Sequence, residues 1–165
     1  MNIPHILEKN NAGGRDSDIT IREMTKQDIG EILEIERQSF ITPWTAPMFL
    51  ASILSPIYKN FVMEKDDKII GYIMLYSVLD EAHVTNLAIR PDYRKKGCGS
   101  RLLSYSINYY KKTGVTDYFL EVREKNLDAI NLYRRYDFKV VGRRKRYYSD
   151  TNEDALIMHL SQKSL

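Results

Sequence analysis

Arg94-Lys95-Lys96-Gly97-Cys98-Gly99 lies between an apolar run, Val84 to Ile89, and a helix-patterned run, Ser100 to Lys112. Strand, glycine loop and helix, in that order, build an anion site. Backbone N–H groups at a helix N-terminus lack intrahelical partners and carry the positive end of the macrodipole, so Gly97 and Gly99 would let a pyrophosphate approach the main chain. Arg94, Lys95 and Lys96 would strengthen the attraction, and Ser100 follows on the helix. Two commoner phosphate loops fail on spacing. A dinucleotide-binding turn needs Gly or Ala three residues after its second glycine, where this chain has Leu102, and no chain-opening strand precedes the loop. A Walker A loop ends in Gly-Lys-Ser/Thr, whereas Gly99 is followed by Ser100 and Arg101.

Reading outward, Val84 to Ile89 is expected to be a strand buried on both faces and ended by Pro91. After the loop, Leu102, Leu103, Ser106, Ile107 and Tyr110 form one helical stripe that Gly114 stops. Tyr118 to Val122 is the next strand and Asn126 to Tyr136 the next helix. Lys139 to Arg144 and Ala155 to Leu160 are final strands around a loop at Ser149 to Asn152. Toward the N-terminus, Phe61 to Glu64 and Ile69 to Tyr76 make a hairpin through Asp66-Asp67, and a short helix begins around Thr45. Thr25 and Asp28 cap a helix carrying Ile29, Ile32, Leu33 and Ile35 that ends near Phe40, and Ile19 to Glu23 alternates as the first strand. Residues 1–18 contain Asn10-Asn11-Ala12-Gly13-Gly14 and show no sustained periodicity, so a mobile leader is expected there, with 19–165 as one domain. The expected class is α/β, a mixed sheet with flanking helices.

Composition excludes more than it identifies. A chain of 165 residues with 43% hydrophobic and 28% charged content suits one globular core. The single cysteine, Cys98, can form neither an internal disulfide nor a thiolate cluster, and His5, His83 and His159 lack ligand spacing, so no metal is implied. No apolar run approaches the roughly 18 residues of a membrane span and no signal-peptide core is evident, so a cytoplasmic protein without a membrane partner is expected. A formal charge of +3 is too slight to argue for nucleic acid and suits an anionic cofactor equally well.

The pattern Arg94-x-x-Gly97-x-Gly99 resembles the acyl-coenzyme A loop of the GNAT acetyltransferases. Asn86-Leu87-Ala88-Ile89 before it, Leu120-Glu121-Val122-Arg123 after it and Asn126-x-x-Ala129-x-x-Leu132-Tyr133 beyond resemble the ribosomal-protein alanine N-acetyltransferase (RimI-type) branch. Phe40, Pro43-Trp44 and Tyr147-Tyr148 add to a likeness that runs from about Ile19 to Leu160. It implies the GNAT fold, with a central mixed, mostly antiparallel sheet flanked by helices, and acetyl-CoA as cosubstrate. By the same resemblance, the main chain of Leu87, Ala88 and Ile89 pairs with the cofactor's extended arm. Arg94, Lys95, Lys96, Gly97, Cys98, Gly99 and Ser100 hold its pyrophosphate.

Acetyl transfer to an amine needs a proton acceptor for the amine and a proton donor for the thiolate. Glu121 falls on the family's acceptor position. It also lies in an apolar strand, where burial would raise its pKa toward that of a working base, a salt bridge to a nearby arginine being the other reading. Tyr133, two helical turns after Asn126 and on the same face, falls on the donor position, and a phenol with a reference pKa near 10 stays protonated at neutral pH. On sequence alone a tyrosine on an amphipathic helix is more often core, and it is the resemblance that reverses that reading. Asn126 reads first as an N-cap and, by resemblance, as a cofactor contact. Phe40, Pro43, Trp44, Tyr147 and Tyr148 would flank the acceptor groove from opposite sides, or else serve as core and rim packing.

A covalent acetyl-Cys98 is conceivable at a helix N-terminus, but direct attack by the amine is favoured. His83 reads as a surface residue. Two departures from the family stand out. Asp137-Phe138 replaces the usual Gly-Phe, so Asp137 should take a left-handed conformation. Arg143 to Arg146 is unusually basic, as a solvated strand end or as a contact for ribosomal or acidic material. The resemblance implies a protein N-alpha-acetyltransferase acting on the N-terminal residue, alanine by branch, of a ribosomal protein, with no direct nucleic-acid contact. The alternatives are a small-amine (polyamine or antibiotic) or lysine acetyltransferase, and a non-catalytic acyl-CoA or nucleic-acid binding module.

Overall fold

The structure, a computed structural model, describes residues 19–163, so the expected leader at 1–18 lies outside the described residues. β1 (Ile19–Glu23), β2 (Tyr58–Lys65), β3 (Lys68–Val78) and β4 (Glu81–Ile89) run as antiparallel neighbours. The β2–β3 turn is the expected Asp66-Asp67 pair, both at positive φ (51° and 59°), the two-residue geometry whose twist matches flanking strands. β5 (Asp117–Arg123) joins β4 in parallel, and β7 (Glu153–Ser161) then pairs antiparallel with both β5 and β6 (Lys139–Tyr148). The strand order β1-β2-β3-β4-β5-β7-β6 is therefore the mixed, mostly antiparallel sheet expected.

Helices cover both faces because alternate strand residues are apolar on each. On one side α1 (Ile29–Ser39) and α2 (Ala46–Leu54) place Ile32, Ile35 and Phe49 against Val62, Tyr72, Met74 and Ala88. On the other, α3 (Cys98–Lys112) and α4 (Leu127–Arg135) pack on Ile73, Leu75, Val84, Leu120 and Val122. The stripe Leu102, Leu103, Ser106, Ile107 and Tyr110 is buried as expected. Asp137 ends the α4 segment at φ 64°, the left-handed turn foreseen for it.

Two strands differ from expectation. β6 continues to Tyr148 because a register irregularity between Arg144 and Tyr148 lets it bulge, with Arg146 at φ 51° and its N–H donating to Asp154 Oδ1 at 2.8 Å. β4 is not buried on both faces: Thr85 is exposed and Leu87 half-buried between buried neighbours. The cause lies in its pairing. Met74 opposes Asn86 while Leu75 opposes Val84, so Thr85 is looped out, and the parallel pairing with β5 stops at Val84 and Leu120.

Candidate active site

Past those two residues β4 pairs with β3 alone and β5 with β7 alone, so the sheet opens into a wedge at its centre. Along the freed end of β4 lies a cleft of about 600 Å³, within the range of small-molecule sites, and Glu121 is not among the residues that line it. Leu87, Ala88 and Ile89 line it from β4, and Arg94, Lys95, Gly97, Gly99 and Ser100 from the loop and α3. Asn126 and Tyr133 line it from α4, and Phe40 from the loop after α1.

The glycines behave as the loop requires. Gly97 is the N-cap of α3 at φ 82°, a conformation that a side chain rarely adopts. A Cβ at Gly99 would come within 3.4 Å of Leu132 Cδ2, so main chain reaches the cleft between α4 and β4. Tyr136 ties the two helices together by donating to the Ser100 carbonyl at 2.8 Å.

The cations do less than their number suggests. Arg94 donates through Nε to the Ile89 carbonyl (2.8 Å) and through Nη2 to Ser39 Oγ (3.0 Å), so it braces the end of β4 against the end of α1. Lys96 is turned away, its Nζ donating to the Asp92 carbonyl at 2.7 Å beneath the Tyr93 ring. Lys95 is well exposed, 3.5 Å from Asp128. The side chains of Lys96 and Cys98 do not line the cleft, and that of Cys98 is packed in the α3 core. That burial also counts against an acetyl-cysteine.

Glu121 is the first β5 residue beyond the last β4 pair. Because Leu120 and Val122 face the α3 and α4 core, strand alternation turns Glu121 to the opposite face of the sheet. Its side chain keeps 30% of its exposure and Oε1 lies 3.4 Å from Arg144 Nη2. The expected burial is therefore corrected to a half-exposed, ion-paired carboxylate, since apolar neighbours in sequence do not bury a residue that points the other way. Tyr133 is buried, 5.7 Å ring to ring from Phe138, and desolvation pushes its phenol above its ordinary range. Asn126 caps α4 by accepting the Ala129 N–H at 3.2 Å while also lining the cleft.

Of the aromatic set, Phe40 alone lines the cleft. Trp44 packs on Phe49 at 5.6 Å, and Pro43 is half-buried beside it. Tyr147 is exposed and meets half-buried Tyr148 edge to face, under the Arg123 guanidinium 4.0 Å from the Tyr148 ring. The two sides are remote in sequence, yet they touch: Thr42 Oγ1 donates to Asp150 Oδ2 at 2.9 Å, and Arg123 Nη2 holds the same carboxylate at 2.6 Å. In the basic run, Arg143 pairs with Glu124 and Asp154, and Arg144 with Glu121. His83 is partly exposed, stacked between Tyr76 and Phe119.

One residue of this region escapes the sequence reading. Glu36 is fully buried on α1, and desolvation pushes its carboxyl up to about 7. A signal was present, since Glu36 falls four residues after Ile32 and seven after Ile29, on the inward stripe of the helix.

Residues 29–138 match the Acetyltransferase (GNAT) family. The chain belongs to that family. The [ribosomal protein bS18]-alanine N-acetyltransferase of Escherichia coli (strain K12) is 36% identical over 143 residues, covering 86% of this GNAT chain and 96% of its own length. A Bacillus subtilis (strain 168) protein provisionally given the same name is 39% identical over 139 residues, covering 84% and 92%. The crystal structure of the E. coli ribosomal-protein-S18-alanine N-acetyltransferase superposes with a TM-score of 0.83 at 34% identity, covering 89% of this chain and 96% of that one. This GNAT chain is an acetyl-CoA dependent N-acetyltransferase. The cleft, the left-handed Gly97 and the β4 edge that has parted from β5 fit an extended acyl-CoA. Among the described residues no helix is long and apolar enough to cross a membrane, and no group of three or more His, Cys, Asp or Glu could hold a metal.

Proposed function

We propose that this enzyme acetylates the N-terminal amine, with alanine in first place, of a ribosomal protein in the cytoplasm, by direct attack with Glu121 as base and Tyr133 as acid. The observation that carries this reading is the parting of β4 and β5 at Val84 and Leu120, which leaves Glu121 as the first β5 residue past the last pair and frees the β4 edge, Leu87 to Ile89, that lines the cleft. The names of the relatives supply the acceptor class.

Acetyl-CoA supplies the activated acetyl group as a thioester. Main-chain groups of Leu87 to Ile89, unclaimed by β5, hold its arm, and N–H groups at the start of α3 hold its pyrophosphate. Glu121 accepts a proton from the incoming ammonium, releasing the lone pair that forms the C–N bond. Tyr133, kept protonated by burial, donates its proton to sulfur as the C–S bond breaks, and the second proton lost from nitrogen restores the phenol. Trp44 and Tyr147 grip the first acceptor residues from either side.

Proton arithmetic favours an α-amine. Its reference pKa is near 7.7 to 8.0 against 10.4 for lysine, so a neutral lysine costs about 3.5 kcal/mol more at neutral pH. One half-exposed carboxylate suffices for the easier task. A screen of N-terminal peptides, polyamines and aminoglycosides with acetyl-CoA tests the assignment. Turnover is expected on Ala-starting peptides, and turnover confined to polyamines or aminoglycosides would reject it.

A further inference from the structure

Glu36 takes no part in the steps above, although it is fully buried and receives donors from three other parts of the fold. Oε1 accepts the Trp44 main-chain N–H at 2.8 Å and faces Asn86 Nδ2 at 3.4 Å, while Oε2 accepts the Tyr72 hydroxyl. Burying a carboxylate is costly, and hydrogen bonds to a charged acceptor are among the stronger ones, so this convergence fixes its partners firmly.

The partners are the two halves of the site. Trp44 closes the loop that carries Phe40 and Pro43, just before α2, whose own N-cap Thr45 makes no side-chain capping bond. Asn86 is the first β4 residue after the looped-out Thr85, and Leu87 follows it into the cleft. One carboxylate thus ties the acceptor loop to the strand edge assigned to the cofactor.

We propose that Glu36 is a positioning residue that sets the loop Phe40 to Trp44 against β4 and thereby governs acceptor binding rather than acetyl-CoA binding. The functional half rests on the acceptor reading above; the structural half does not. Protonation loosens the tie, because a carboxyl O–H must then donate where the carboxylate only accepted. Among the described residues its surroundings are simple: Tyr72 of β3 is the titratable group that faces it, β4 presents neutral Asn86, the loop a main-chain N–H, and α2 the Phe49 ring against Tyr72. A carboxyl pushed up to about 7 makes the loop titrate near neutral pH.

Trp44 is the single tryptophan of the chain, so its fluorescence reports the loop directly, without any acceptor. In the full-length enzyme its emission should titrate with a midpoint near 7, and the transition should vanish in Glu36→Gln. That variant should raise the KM of an Ala-starting peptide about tenfold, the scale of one lost hydrogen bond to a charged group. Calorimetric affinity for acetyl-CoA should stay within about twofold of the wild type. Tyr72→Phe, which keeps Glu36 but removes a donor to its charged form, should move the fluorescence midpoint upward, and it serves equally if Glu36→Gln does not fold. A fluorescence titration unchanged by both variants, or a loss falling on acetyl-CoA with acceptor KM unchanged, would overturn the proposal. Absence of wild-type turnover on peptide N-termini would instead count against the acceptor reading, and the Trp44 titration would still decide the role of Glu36.

Discussion

In the proposed mechanism Glu121 and Tyr133 carry different burdens, and substitution separates them. Glu121→Gln keeps the shape and removes the proton acceptor, so kcat should fall by about a hundredfold or more with acetyl-CoA affinity intact by calorimetry. Tyr133→Phe should likewise lower kcat more than it weakens cofactor binding, because charge on sulfur appears only late in the reaction. Wild-type rates across neutral pH in either variant would remove that residue from the mechanism. Glu36 gives a stability effect of definite sign. Its folded-state pKa of about 7 lies above the ordinary 4.5, so between those values the folded protein holds a proton that the unfolded chain has released. The stabilisation is therefore fully present below about 4.5 and lost as pH rises through 7. Denaturant midpoints should fall from pH 5 to pH 8 by more in the wild type than in Glu36→Gln. The depressed carboxyls Asp28 and Asp117 lose their stabilising effect only at more acidic pH, outside that window. At this scale the sequence reveals position better than environment. Glu121 is recognisable from Leu120-Glu121-Val122-Arg123, but alternation along β5 decides that it is half-exposed. Glu36 could have been found, because an acidic residue on an apolar helical stripe asks for a buried partner.

The proposed function makes the loop and its helix the element on which cofactor affinity depends. Gly99→Val would place branched methyls where even a Cβ comes within 3.4 Å of Leu132, between α4 and β4. Acetyl-CoA affinity should fall sharply by calorimetry while the α3 core, which Gly99 does not fill, stays folded. An unchanged affinity would refute the loop assignment. Most elements here were legible because their signals are local: the α3 stripe, the Asp66-Asp67 turn, the Thr25 and Asp28 cap, and the left-handed Asp137. The parting of β4 from β5 was not, because it arises from the extra residue at Thr85 and from which strand lies alongside, and neither leaves a periodic mark. For the same reason β6 ran past its expected end. Its bulge is held by Asp154, on a strand that pairs with it only after folding. The lysines read too strongly for a related reason, since a count of charges does not show that Lys96 is engaged by the Asp92 carbonyl.

Taken whole, the molecule has two cores on opposite faces of one sheet, in which β4 and β5 part beyond Val84 and Leu120. The cleft lies beside α3 and α4, while Glu121 faces the other side, paired with Arg144, whose guanidinium lies 5.6 Å from the Tyr147 ring. In the proposed reading the cofactor enters from one face and the amine from the other. Contact between Thr42 and Asp150 brings together the two segments that the proposal assigns to the acceptor, and in that reading a chain end is presented lengthwise. The relatives' names point to the same substrate class, and proton arithmetic favours an α-amine over lysine. The most direct test pairs an Ala-starting peptide with the same peptide blocked at its N-terminus but bearing a free lysine, and mass spectrometry locates the acetyl group. The α-amine of the first peptide should be modified well ahead of the lysine of the second. Faster modification of the blocked peptide would contradict the assignment.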